Sequence, residues 1–360
     1  MSLRSTLSRL TLAGGIFIWG VEPAFSQSSA LFNQLVERSK AEVAKKDGRL
    51  TIATNWEVSQ AGAILEAFRK DFPFVKQTKF EVLRGIETSQ RILMEFKAGS
   101  LPTNDITSVP DELWNEYSSA GAFVRPPFAY RELAKSLPAD WPQLDPRLVD
   151  PEGYFISTSA GVRGIAYNKN LVPPDKAPKR WEDCLNPMWR GKFFYDSRPA
   201  LTAFQNDPKT REWHLKWLKE LVANKPVLMR ARLQSMEKVA AGEFPLYCGA
   251  NYSHAMPMVE AGAPVAFILP DPFPLDLAVA IHVTKWSLPA SAELFAVWTA
   301  TKAQPLVEEK GYRGFPWIPG TRISRLAQGK QIIICDLACS RKGDEYFAEH
   351  GKILGLPGMK

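Results

Sequence analysis

Side chains able to do covalent or metal chemistry are few in this 360-residue chain, and they form no catalytic pattern. The four histidines, His214, His254, His282 and His350, make no metalloprotease pair. There is neither a Gly-x-Ser-x-Gly elbow nor a phosphate loop. Any enzyme here would have to work through isolated Asp and Glu residues. Cys184, Cys248, Cys335 and Cys339 allow three pairings. Cys335 and Cys339 stand four apart, which is poor disulfide geometry on a helix; a bond there would need a turn. Their spacing to His350 matches no standard zinc pattern, so free or structural cysteines is the preferred reading. The expectation is a binding protein with no catalytic residues and no cofactor.

What the chain does offer is polar and aromatic residues where strands end. Residues 31–46 read as an amphipathic helix and residues 49–54 as a strand. The next helix carries Val58, Ala61, Leu65, Phe68 and Phe72 at spacings of three and four, one buried stripe on a polar helix. A strand over 79–83, a helix over 88–98, a strand over 105–109 and a helix opened by Pro110 and Asp111 follow. This alternation predicts an α/β fold with a mostly parallel sheet covered by helices. In such sheets ligands bind beyond the C-terminal strand ends, which selects Asn55, Trp56, Gly85, Ser108 and Asp111. Residues 154–167 read as extended segments interrupted at 159–164, where Ser159 and Arg163 sit. A strand over 192–195 leads to Asp196-Ser197-Arg198-Pro199, and a strand over 244–250 delivers Asn251 and Tyr252.

Each candidate has a plain structural role beside its binding role. Trp56 is a flat wall for an apolar or cationic ligand face, or it packs on its own side. Ser108 and Asp111 are contacts or helix caps. Arg163 is a charge clamp for a carboxylate or phosphate, or an exposed arginine. Ser197 starts a helix whose backbone N–H groups favour an anion, or simply caps it. Asn251 and Tyr252 are ligand contacts by the strand-end rule.

Whole-chain properties narrow the class. Arg4 and Arg9 precede an apolar run over 10–21, and Ala24-Phe25-Ser26 gives a small–x–small cleavage pattern. Residues 1–26 therefore read as a secretory signal peptide, too short to anchor in a membrane. The rest is longer than one core usually grows, so two lobes are expected. The formal charge of +7 is dispersed, with no dense basic block and no nucleic-acid motif, and nucleic-acid binding is not inferred. A mildly basic surface favours anionic solutes.

One stretch is more specific. Gly164-Ile165-Ala166-Tyr167-Asn168-Lys169-Asn170-Leu171-Val172-Pro173-Pro174 continues through Ala177-Pro178-Lys179-Arg180-Trp181-Glu182-Asp183-Cys184-Leu185 to Asn186-Pro187-Met188-Trp189-Arg190-Gly191-Lys192. It strongly resembles the family 1 extracellular solute-binding proteins of ABC transporters, in the iron(III)-binding-like branch. Residues 105–113 and 238–270 fit the same family, and the resemblance covers about 50–320. It implies a two-lobed type II periplasmic-binding-protein fold, a Venus flytrap. Lobe one would be 27–160 plus 276–360 and lobe two 161–275, with crossovers near 157–166 and 270–280. It also implies a periplasmic monomer that presents its ligand to a membrane permease; a ligand sensor is the alternative of another class. Iron-carrying members of the branch use two adjacent tyrosines at the second-lobe strand end, where this chain has Asn251-Tyr252-Ser253-His254. Many have a histidine after the first strand, where it has Thr54-Asn55-Trp56-Glu57. Tyr252, Glu57 and His254 would be the iron ligands available, an incomplete set for a hard cation. A small anionic organic solute is therefore the expected ligand and ferric iron the alternative.

Overall fold

Apolar spacing explains the first elements directly. The computed structural model describes residues 30–83, 85–110 and 113–356. The expected signal peptide, residues 1–26, and Asp111 lie outside them. Helix α1 (Ala30–Ala44) buries Phe32, Leu35, Ser39 and Val43, one face at three- and four-residue steps. After β1 (Arg49–Thr54), a capping box of Glu57 and Gln60 opens α2 (Val58–Asp71). That helix buries Ala61, Ile64, Leu65 and Phe68. Val58, read as part of the buried stripe, lies in the first turn and is 64% exposed. Then come β2 (Gln77–Val82), α3 (Gly85–Lys97), β3 (Ile106–Val109), α4 (Trp114–Ser119) and α5 (Tyr130–Ala134). Strands β2, β1 and β3 pair in parallel, as the alternation predicts.

The chain then changes sheets. Strand β4 (Phe155–Asn168) is one continuous strand where the sequence reads as interrupted. Register shifts between Ser157 and Ser159, and between Ser159 and Gly161, absorb the irregularity as bulges. β5 (Phe193–Asp196), α6 (Thr202–Asn206), α7 (Arg211–Ala223), β6 (Val227–Met229), α8 (Arg232–Ala240), β7 (Leu246–Asn251), α9 (Tyr252–Glu260) and β8 (Val265–Ile268) follow. β9 (Phe273–His282) brings the chain back to β3, antiparallel. The first half of β4 also pairs with β9, and its second half pairs with β7 and β8. The whole order is β2-β1-β3-β9-β4-β7-β5-β6, with β8 beside β4. Gly164 sits at the changeover because a Cβ there would meet the Ile268 carbonyl oxygen at 2.2 Å. Gly249, at φ +82° in the bulge opposite, turns the end of β7 toward Asn251.

The closing elements are α10 (Pro289–Ala300), α11 (Gln304–Gly311), α12 (Arg322–Ala327), β10 (Ile332–Cys335), α13 (Leu337–Ser340) and α14 (Gly343–Leu354). α10 is buried nearly all round, which explains its uniformly apolar sequence. β10 lies parallel to β9. Cys335 at its end, with Cys339, Tyr346 and Leu354 beyond it, joins the apolar cluster of the second sheet, around Trp181, Phe193 and Trp217. The sequence reading grouped these residues with the first lobe; their packing ties them to both sheets. All four cysteines are paired, Cys184 with Cys248 and Cys335 with Cys339. The second bond forms because Cys335 ends a strand and Cys339 lies in the short helix after a turn. Those thiols are thus not zinc ligands. No described helix is long and apolar enough to cross a membrane.

Candidate functional site

A cavity of about 730 Å³ opens where strand ends of both sheets meet. The first sheet contributes Asn55, just past β1, and Pro110, just past β3. The second contributes Arg163 and Asn251, Cα partners on β4 and β7. The loop after β5 adds Arg198, the start of α8 adds Arg232, and the segment after α11 adds Arg313. Four guanidinium groups thus face one space, where Asp276 and Glu237 are the acids.

Buried partners hold these arginines in place. Asp196, fully buried at the end of β5, accepts from Arg198 N at 3.0 Å and Arg198 Nε at 3.2 Å, and from Arg232 Nε. Burial would raise its carboxyl, but Arg232 and Arg198 outweigh that and hold it below the usual carboxylate range. Arg163 is only 6% exposed. Its Nε lies 3.8 Å from Asp276 Oδ2, beyond hydrogen-bond length, and neither Nε nor Nη1 has a hydrogen-bond partner. Burial, and then Arg232, push its pKa down to about 10, so it stays charged at neutral pH. Arg313 behaves alike: burial and Arg232 bring it to about 10, and its Nε is also unpartnered. A buried donor left unpaired costs about 1–3 kcal/mol, more when charged. An anion in the cavity would remove that cost.

Neutral groups complete the lining. His254, in the first turn of α9, is pushed down to about 3 by burial and then by Arg313 and Arg163, so it is uncharged at neutral pH, and its Nδ1 has no partner. Asn55 Oδ1 and Asn251 Oδ1 are buried and unpartnered. Asn251 is the N-cap of α9, and Ala231 that of α8; neither side chain caps its helix. Two helix N-termini, whose backbone donors favour negative charge, therefore begin at the cavity.

Of the residues selected from sequence, Asn55, Arg163 and Asn251 line this cavity. Trp56 does not: it is 1% exposed in the core of the first sheet, 6.2 Å from the Phe295 ring. A residue just beyond a strand can turn inward, and Trp56 does so because its indole is the larger apolar surface. Tyr252 is equally buried in that core, and its hydroxyl donates to Glu308 Oε1 at 2.8 Å. Burial, then that hydrogen bond, push its pKa well above the ordinary value. Ser108 and Ser159 are buried within β3 and β4, away from the cavity lining. Ser197 joins strand ends, its N–H donating to Met229 O at 3.1 Å. Of the three possible iron ligands, only His254 lines the cavity; Glu57 serves the α2 capping box. Among the described residues no three His, Cys, Asp or Glu side chains gather as a metal site. The sequence reading missed Arg198, Arg232 and Arg313. The strand-end rule could have found Arg198, two residues past β5; nothing local marks Arg313.

Two sheets joined by crossover strands, with a cavity at their facing strand ends, define the type II periplasmic-binding-protein class. The model of the bacterial extracellular solute-binding protein family matches residues 120–314, and the chain belongs to that family. No curated protein matches the sequence. Among solved structures, the substrate-binding protein of an ABC transporter from Agrobacterium tumefaciens is similar at 16% identity, over 85% of this chain and 94% of that one, with a TM-score of 0.65. Iron-bound HitA from Pseudomonas aeruginosa aligns at 17% identity over 85% and 99%, TM-score 0.63. The ferric binding protein from Campylobacter jejuni aligns at 18% over 86% and 100%, TM-score 0.63.

Proposed function

We propose that this chain is the exported solute-capturing component of an ABC importer and that it takes a small organic anion. The observation that carries the reading is Arg163: a buried guanidinium whose Nε and Nη1 have no hydrogen-bond partner and whose paired acid, Asp276, stands 3.8 Å away, in a cavity shared with Arg198, Arg232 and Arg313. Charge-assisted hydrogen bonds to a carboxylate or phosphate are what such a group lacks. Asn251, Asn55 and neutral His254 would orient the rest of the solute. In this reading the two lobes are 27–160 with 276–360 and 161–275, the C-terminal residues also riding on the second. They close about β4 and β9 as rigid bodies. The partner is a membrane permease, the protein works as a monomer in the periplasm, and the signal peptide is removed. N-terminal sequencing of periplasmic material should start at Gln27.

Ferric iron is the second reading, favoured by relatives described as iron-bound or ferric binding. Against it, Tyr252 gives its hydroxyl to Glu308, and four arginines outnumber the two acids of the cavity. A thermal-shift screen decides. Carboxylates, phosphate esters or phosphonates should raise the melting temperature by mass action. Stabilisation by ferric ion instead, with a tyrosinate-to-iron absorption band lost in Tyr252→Phe, overturns the anion reading.

A further inference from the structure

The cavity is mixed in character: beside its arginines it offers apolar surface that an anionic group alone would not contact. Half open to solvent, it measures about 730 Å³, within the range of clefts that hold organic molecules. One side of it comes from the C-terminal residues: Ser340, Gly343, Tyr346 and Phe347. Tyr346 turns inward, buried in the second-sheet cluster with its hydroxyl donating to Asn206 Oδ1 at 2.5 Å. Its neighbour Phe347 does the opposite. The ring is half-buried at the cavity, belongs to no apolar cluster and meets no other ring or cation among the described residues. Leu233, in the first turn of α8, also lines the cavity and is 43% exposed. Two large apolar side chains therefore face the space that the arginines share.

The segment that carries Phe347 is held firmly. The Cys335–Cys339 bond closes its turn. Arg341 pairs with Asp150 and with Glu152 Oε1 at 2.6 Å, and lies 4.4 Å from the Trp114 ring. Glu349 accepts from Arg211 Nη2 at 2.7 Å and from Gln205 Nε2 at 2.6 Å. A pre-placed ring loses little freedom when a ligand stacks on it.

We infer that Phe347, with Leu233, forms a ring-binding subsite and selects an organic anion that carries an aromatic or apolar ring. The inference rests on the anion reading of the cavity. The anionic group sits with Arg163 and its neighbours, and the ring covers the Phe347 face. Phe347 is thus a specificity-determining residue that the family's own region, residues 120–314, does not contain.

Calorimetric titration of the mature protein with matched probes tests this: phenyl phosphate against methyl phosphate, and benzoate against acetate. In at least one pair the ring-bearing probe should bind about tenfold tighter, consistent with burying a ring-sized apolar surface. Phe347→Ala should remove that preference and leave the small probe within about twofold. Gly343 has open space where a Cβ would stand, so Gly343→Leu should block the ring without disturbing the arginines, and it provides the same readout if Phe347→Ala folds poorly. Equal binding within both pairs, or equal loss for both members in the variants, overturns the ring subsite and leaves the anion reading standing. Failure of all four probes to bind overturns the anion reading and this inference with it.

Discussion

An asparagine followed by an aromatic residue ends a strand on each side of the cavity: Asn55-Trp56 after β1 and Asn251-Tyr252 at the end of β7. Both asparagines line the cavity with Oδ1 unpartnered, and both aromatics turn into the same core cluster. Their surroundings differ. Asn251 stands beside Arg163, on the sheet that also brings Arg198 and Arg232. Asn55 stands beside Pro110, with Arg313 reaching in from the segment after α11. The second sheet carries most of the charge and the first offers mainly neutral contact. Under the proposed function, similar strand ends would divide the work: one side would capture an anion, and the other would cover it on closure.

Changes that act on both sides at once should be largest. Burial pushes His214, His254 and His282 down to about 3 and His350 to about 4. Unfolded histidines bind protons near pH 6.5 while the folded ones do not, so their stability is present above that pH and is lost as pH falls toward 4. Glu293, raised to about 9 by burial, opposes this over the same window, because its contribution is present below the unfolded carboxylate pKa and lost as pH rises through 9. Four groups outweigh one, each contributing about 1.4 kcal/mol per pH unit. Urea denaturation at pH 7 and pH 5 should show the protein clearly less stable at pH 5; a midpoint that does not move would mean the histidines are not buried neutral.

The charged side should be the more fragile. Asp196→Asn leaves Arg198 and Arg232 without their buried carboxylate and should cost about 3–5 kcal/mol, read in the same urea titration. Replacing Cys184 and Cys248 by serine opens a link between residues 64 apart and should cost about 2–4 kcal/mol. Neutral contacts rank below these. For anion affinity measured by calorimetry, Asn251→Ala should lose about tenfold and Asn55→Ala only a few-fold, each a hydrogen bond worth about 0.5–1.5 kcal/mol. Equal losses would mean the two sheets share recognition evenly. The smallest effect on binding belongs to Trp56→Phe, less than about twofold, although the folded state loses packing.

How much of this was legible follows from where each signal lies. The α/β layout was readable because period and breakers are local properties: residues 31–46 and 49–54 match α1 and β1 closely. Strand ends pointed to Asn55 and Asn251 because a sheet's C-terminal edge is set by direction alone, and Arg163 stood out as a charge in the interrupted stretch 159–164, inside what is β4. Which way Trp56 and Tyr252 turn depends on what lies behind them, Phe295 in one case and Glu308 in the other, both far along the chain. Arg232 and Arg313 come together only through the crossover strands, and β10 pairs with β9 more than 50 residues away in sequence. No local pattern encodes such meetings. The Cys335–Cys339 bond was unreadable for a related reason, since the spacing fits a helix equally well and only the end of β10 makes a turn of it.

The central claim is that Arg163 is the receptor for an anion. Calorimetric titration of the most stabilising organic anion into wild-type and Arg163→Ala protein tests it most directly. Truncating a buried charged partner costs about 2–5 kcal/mol, so affinity should fall at least about thirtyfold; because Arg163 also forms a buried ion pair with Asp276 at 3.8 Å, a thermal melt confirms that the variant is folded before binding is read. An unchanged dissociation constant in a folded Arg163→Ala protein would contradict the account.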